Sequence, residues 1–266
     1  MSDADTLTID TEGDVLIVSL NRPEVRNAVD SATARAIAKA FIDFDNDDRH
    51  AVAVFAGSHG TFCAGADLKA VSAGNFDELK SIEKPLDRHA GHAPMGPSYL
   101  RLRKPVIGAI SGYAVAGGLE LSLWCDMRVV EEDAVMGVFC RRWGVPLIDG
   151  GTVRLPRLIG HSRAMDMILT GRPVAADEAL QIGLANRLVA DGTALEEALT
   201  LARQIAAFPQ QCLQADRLSA YQQWDLPQGE ALRREGAGGY PVVFEEAIGG
   251  AERFRQGAGR HGKFEE

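Results

Sequence analysis

The chain has 266 residues, 28 Lys and Arg against 37 Asp and Glu, and a formal charge of −9. With 46% hydrophobic and 24% charged residues it has the composition of a folded globular protein, which excludes disordered, collagen-like and coiled-coil readings. The negative balance, without a basic block, excludes nucleic acid as the default partner, because phosphate contacts need clustered Lys and Arg. An anionic small ligand stays open if a few cations are placed locally.

In chain order, Thr6 to Asp10 and Val15 to Leu20 read as a hairpin, ended by Asn21-Arg22-Pro23. Asp30 or Ser31 offers a helix N-cap, and Ile37, Ala40, Phe41 and Phe44 follow at helical spacing. A short apolar strand, Ala51 to Ala56, comes next. Ser72 to Ser98 carries three Gly and three Pro with weak periodicity and reads as an excursion. Pro105 to Ile110 reads as a buried strand, Leu119 to Trp124 as a helix, and Arg128 to Val130 as another strand. Alternating strands and helices of this kind predict an α/β fold. After Thr152 the sequence predicts helices at 164–170, 176–182, 194–208 and 211–223, with one short strand at 186–189. The reading divides the chain into a core over residues 1–195 and a C-terminal helical region over 196–266.

The four cysteines are widely spaced and form no zinc or CxxC pattern, which points to reduced thiols in a cytoplasmic protein. Met1 to Asp5 is acidic, unlike a signal or transit peptide. The longest uncharged run, Pro105 to Leu119, has 15 residues and is too short to span a membrane. The six histidines show no metal pattern, so no metal site is expected. P-loop, GxSxG and dinucleotide signatures are missing as well.

Two glycine-bearing segments carry the chemistry. Thr61 to Leu68 follows a strand, and Gly112 to Leu121 joins a strand to a helix. Amides at a helix N-terminus are unpaired and favour negative charge. Two of them converging from separate segments would form an oxyanion hole. Glu120 lies three residues after Gly117, so its carboxylate projects on about the same side. The plainer alternative is a pair of tight turns with Glu120 as a cap or a solvent-facing residue.

These residues resemble the crotonase, or enoyl-CoA hydratase/isomerase, superfamily. The likeness rests on Asn21-Arg22-Pro23 with Asn27-Ala28, Phe62 to Asp67, Gly112 to Leu121, Cys125-Asp126 and Leu155 to Gly160. It implies a core of repeated ββα units, a C-terminal helical trimerisation region, a homotrimer or dimer of trimers, and an acyl-CoA substrate. It implies no separate cofactor, since coenzyme A is part of the thioester. The amides of Ala66 and Gly117 match the pair that holds the thioester oxygen. Ala64, Asp67 and Leu68 match the adenine side of the CoA site. Glu24, Val25 and Arg26 match a loop at the CoA nucleotide, with Arg26 the candidate phosphate contact.

The family's first catalytic glutamate matches Glu120, and the second falls on Cys140. Cys140 reads as a buried core cysteine, with the alternative that Arg141 and Arg142 beside it favour thiolate. Asp149 is the stand-in carboxylate, with the competing reading that it N-caps the following helix. The reaction implied is hydration of a 2-enoyl-CoA. Double-bond isomerisation by proton shuttling and acyl-CoA binding with little turnover are the alternatives.

Overall fold

The computed structural model describes residues 6–74 and 93–259. They fall into two compact units, Met1–Ile205 and Ala206–Glu266. The division at 195/196 expected from sequence falls inside a helix, α7 (Ala194–Ala206), which the first unit holds by burying Ala194, Ala198, Leu201 and Ala202.

The first unit begins with the hairpin β1 (Leu7–Glu12) and β2 (Val15–Leu20). Helix α1 (Ser31–Asn46) starts where the Asp30 carboxylate accepts the Thr33 amide at 2.9 Å. Its buried stripe of Ile37, Ala40, Phe41 and Phe44 packs into the core. There follow β3 (Val52–Gly57), α2 (Leu68–Ser72), β4 (Val106–Ile110), β5 (Tyr113–Val115), α3 (Gly117–Trp124), β6 (Met127–Glu131) and β7 (Val135–Gly137). Helices α4 (Gly151–Ile159) and α5 (His161–Thr170), strand β8 (Pro173–Ala175), α6 (Ala176–Gln181) and β9 (Arg187–Val189) lead into α7.

The main sheet has the order β1-β2-β3-β4-β6-β9 and is parallel beyond the first hairpin. Its central strands β3 and β4 are buried at every position but Gly57, as a sheet covered on both faces requires. The second sheet, β5-β7-β8, lies outside the elements predicted from sequence. Single bridges Cys63–Ala114 and Val29–Ala66 continue its layer one pairing at a time. Strand–strand–helix units therefore repeat: β4 and β6 pair in one sheet, and β5 and β7, which follow them, pair in the other. These are the repeated ββα units that the resemblance implies.

The second unit consists of α8 (Gln210–Gln222), α9 (Gln228–Val242) and α10 (Ile248–Gln256), the last two joined by a π turn at Val243–Ala247. None of its described residues is buried. Most of the excursion expected at 72–98, residues 75–92, lies outside the described residues, as does Met1 to Asp5. Among the described residues no helix is long and apolar enough to cross a membrane.

Candidate active site

The turn after β3 runs beside the β5–α3 corner. Phe62 N donates to Ser111 O at 2.8 Å, Cys63 N to Tyr113 O at 2.8 Å, and Val115 N to Cys63 O at 3.1 Å. Gly65, at φ +99°, sits where a side chain cannot: a Cβ there would lie 2.8 Å from Ala116 Cβ and 3.1 Å from Gly117 N. Ala116 itself holds φ 54° and ψ −124°, a costly conformation for a non-glycine residue. Its amide donates to Gly137 O at 2.9 Å, which pins the corner and starts α3 at Gly117. Among the described residues, neither the Ala66 nor the Gly117 amide donates to a protein acceptor. Both residues line one cavity of about 480 Å³.

A clasp upstream fixes this turn. The Asn27 side-chain amide donates to Ser58 O at 3.0 Å and Thr61 O at 2.7 Å. Arg22 pairs with Asp30 at 3.0 Å and Asp67 at 3.3 Å and donates to Ala28 O at 2.6 Å. Asp67 also caps α2 by accepting the Lys69 amide at 3.0 Å. Its carboxylate thus serves the scaffold, although Asp67, Ala64 and Leu68 do line the cavity. Glu24 and Val25 close a short 3-10 turn, and the exposed Arg26 follows at φ 52°. The Ala64 amide donates to Arg26 O at 3.0 Å, so the two candidate CoA segments are joined through backbone. Glu24, Val25 and Arg26 do not line the cavity.

Glu120 projects from the first turn of α3 into the same cavity and is only 3% exposed. Its Oε1 accepts the amides of Asp149 at 2.9 Å and Gly151 at 2.8 Å. Glu120 is therefore a cap, but for α4 rather than its own helix. Gly151 makes this approach possible, since a Cβ there would stand 2.9 Å from Glu120 Oε1. Burial, then the Asp149 charge, push the Glu120 carboxyl up to about 8, against the pull of the two amides.

Asp149 also lines the cavity. The N-cap of α4 is Gly150 and has no side-chain cap bond, so the capping reading of Asp149 is corrected. Its Oδ1 instead accepts the Met95 amide at 2.9 Å and the Ser98 hydroxyl at 2.6 Å. Burial raises its carboxyl above the ordinary range, opposed by Ser98, Met95 and Arg154. Two carboxylates thus meet in one cavity.

Cys140 is buried and lines the cavity beside them. The surroundings do not favour the thiolate that its neighbours could have promoted. Burial and the Glu120 charge raise the thiol, outweighing Arg141. The arginines are engaged elsewhere: Arg141 Nε donates to Ile168 O at 3.1 Å, and Arg142 to Gly171 O at 3.1 Å while lying 3.9 Å over the Phe139 ring.

Met95, Ser98 and Arg154 went unmarked in sequence. A Pro-Met-Gly-Pro-Ser stretch signals only turns, and a buried serine has no periodicity to give it away. Chemically, the cavity combines two free amides able to hold an oxyanion with two buried carboxylates able to exchange a proton.

Residues 10–235 match the family model Enoyl-CoA hydratase/isomerase. The chain is 36% identical over 232 residues to enoyl-CoA hydratase EchA19 of Mycobacterium tuberculosis, covering 85% of this chain and 84% of that one. It is 32% identical over 263 residues to carnitinyl-CoA dehydratase of Salmonella typhi, covering 95% and 96%. Among solved structures, an enoyl-CoA hydratase from M. tuberculosis H37Rv superposes with a TM-score of 0.85 at 32% identity, covering 94% of this chain and 96% of that chain. One from Bacillus anthracis does so with 0.85 at 28%, covering 94% and 96%. The matched range, the sheet order and these relatives together place the chain in the enoyl-CoA hydratase/isomerase family.

Proposed function

We propose that this protein is an acyl-CoA enzyme that hydrates the double bond of a 2-enoyl-CoA thioester. The observation that carries this reading is the pair of buried carboxylates, Glu120 and Asp149, in a cavity that also holds the free amides of Ala66 and Gly117. The two amides receive the thioester oxygen and stabilise it as it becomes an enolate oxygen. Loss of one such donor costs about 2.7–4 kcal/mol.

Water adds with its oxygen bonding to C3 while one carboxylate takes its proton. The enolate then collapses as the other carboxylate delivers a proton to C2. Glu120 and Asp149, both raised by burial, are the two groups that exchange these protons, and dehydration reverses their roles. Neither step needs a separate cofactor or a metal. Ala64, Asp67 and Leu68 border the adenine side of CoA, and the loop Glu24-Val25-Arg26 borders its phosphates, with Arg26 as the local cation.

A second reading is isomerisation, in which the same carboxylates carry a proton between carbons of an enoyl chain. Cys140, in place of a second glutamate, is the observation that favours it. The oligomer is read as a homotrimer or dimer of trimers, supported by the apolar residues left exposed along α8 to α10. The free, unpaired thiols support a cytoplasmic setting.

The test is to incubate the protein with 2-enoyl, 3-enoyl and dienoyl thioesters and follow the ultraviolet absorbance of the conjugated thioester. Loss of absorbance from the 2-enoyl substrate, with a 3-hydroxyacyl product, is the expected result. Appearance of conjugation from the 3-enoyl substrate with no hydration selects isomerisation. Binding without turnover on all three overturns both.

A further inference from the structure

Ser98 takes no part in the chemistry above, yet it is fully buried and makes the shortest hydrogen bond to Asp149, 2.6 Å from Oγ to Oδ1. The Met95 amide donates to the same oxygen at 2.9 Å. Both bonds fall on Oδ1, so among the described residues Oδ2 has no protein donor. The carboxylate is thus held by one edge, with its rotation fixed.

The segment that supplies these donors is itself tied down. Ala93 and Gly96 exchange backbone hydrogen bonds of 3.0 and 2.8 Å, folding 93–96 into a hook. Tyr99 donates its hydroxyl to Ile148 O at 2.7 Å. Arg154, one turn into α4, donates to Asp149 O at 3.0 Å and Ser98 O at 2.5 Å, bracing the two residues against each other. The Met95 side chain in turn packs on the oxyanion corner: a Cβ added to Gly117 would lie 2.6 Å from Met95 Sδ. One hook therefore packs against Gly117 and holds the Asp149 carboxylate.

We propose that Ser98 is a positioning residue that makes Asp149 the second acid/base group of this site, with Arg154 and Met95 holding the pair in register with the oxyanion corner. This rests on the reading of Asp149 as a proton-exchanging group. A hydroxyl donor stabilises the ionised form of a carboxylate, so Ser98 opposes the rise that burial imposes on Asp149. The charged and titratable groups facing Asp149 are Glu120 from α3, Arg154 from α4 and Tyr99 from the hook. Ser98→Ala removes none of these groups, and it keeps the backbone carbonyl to which Arg154 donates.

The experiment compares Ser98→Ala, Ser98→Thr and Asp149→Asn with the unmodified protein, using a 2-enoyl-CoA substrate. Substrate-free protein labelled with carboxyl carbon-13 aspartate is titrated in parallel by NMR. Ser98→Ala is expected to lower kcat about tenfold with KM within about twofold, since one hydrogen bond to a charged group is lost. The acid limb of kcat and the Asp149 titration should both move up by about one pH unit, because fewer donors favour the protonated form. Ser98→Thr restores both, because it keeps the hydroxyl. Should Ser98→Ala not fold, Ser98→Cys, near in size and a weaker donor, gives the same displacement. An unmoved NMR titration, or a loss of activity that Ser98→Thr does not restore, overturns the positioning role. Wild-type turnover in Asp149→Asn overturns the catalytic reading of Asp149, and the proposal with it, whatever the NMR titration of the serine variants gives.

Discussion

Between Leu7 and Ala202 the α/β unit buries Phe41, Phe44, Phe55 and Phe62 almost completely, whereas from residue 203 to 259 not one residue is buried. The helices α8 to α10 are no less regular. They leave Leu232, Tyr240, Phe244, Ile248 and Phe254 each about 60% exposed or more. A helix in water is marginal by itself and takes its stability from burying an apolar face. The first unit therefore holds its own core and the whole cavity, while the second carries apolar side chains that its own fold does not bury. The cavity lies where packing is complete, and the exposed apolar side chains lie where it is not.

Glu120→Gln tests the first half of that comparison most severely. Turnover should fall by about 10²–10⁴, the usual worth of a general acid or base, while CoA affinity measured by calorimetry stays near the original. Wild-type turnover in this variant would remove the cavity from consideration. Next in size is Phe41→Ala. Phe41 meets Phe55 and Trp124 edge-on at 5.2 and 4.8 Å between ring centroids, and its truncation should cost about 3–5 kcal/mol in chemical denaturation.

The pH dependence of stability is smaller and has a definite sign. Glu120 sits at about 8 in the folded protein against 4.5 unfolded, so the folded state binds more protons between those values. Its contribution is fully present below about 4.5 and is lost as pH rises through about 8. Tm should consequently fall faster from pH 5 to 8 in the original protein than in Glu120→Gln; parallel curves would contradict the burial of this carboxyl. The smallest effect belongs to the second unit. Phe244→Ala, measured on dissociated chains at high dilution, should change stability by no more than about 0.5 kcal/mol, as for an exposed site. In the proposed oligomer, the same change should weaken association in analytical ultracentrifugation. A large loss in the dissociated chain would erase the contrast between the units.

The hairpin, α1 and the long buried strands were legible because each carries a full period of its pattern: Asp30 caps where expected, and Phe41 and Phe44 face the core. The second sheet was not, since β5, β7 and β8 have three residues each and no alternation to detect. At the site, the motif residues Ala66, Gly117 and Glu120 do line one cavity. The surroundings of Asp149 were hidden because its partners, Met95 and Ser98, lie more than fifty residues away in a stretch that signals only turns. A residue before Gly-Gly-Thr looks like an N-cap until a carboxylate from a different helix is found in that place. For Cys140 the flanking arginines could not settle the state of the thiol, because adjacency in the chain does not say where a guanidinium points.

The gap between the 62–67 turn and the start of α3 is one glycine wide. At Gly65 any side chain would wedge into Ala116 and the Gly117 amide, so mutation there has nowhere to go. Position 140, in the lining of the same cavity, holds a buried thiol and no carboxylate. A library at position 140 can thus vary a cavity side chain, while one at Gly65 runs into the Ala116 corner. A scaffold divided this way can change one part of its cavity lining without rebuilding that corner.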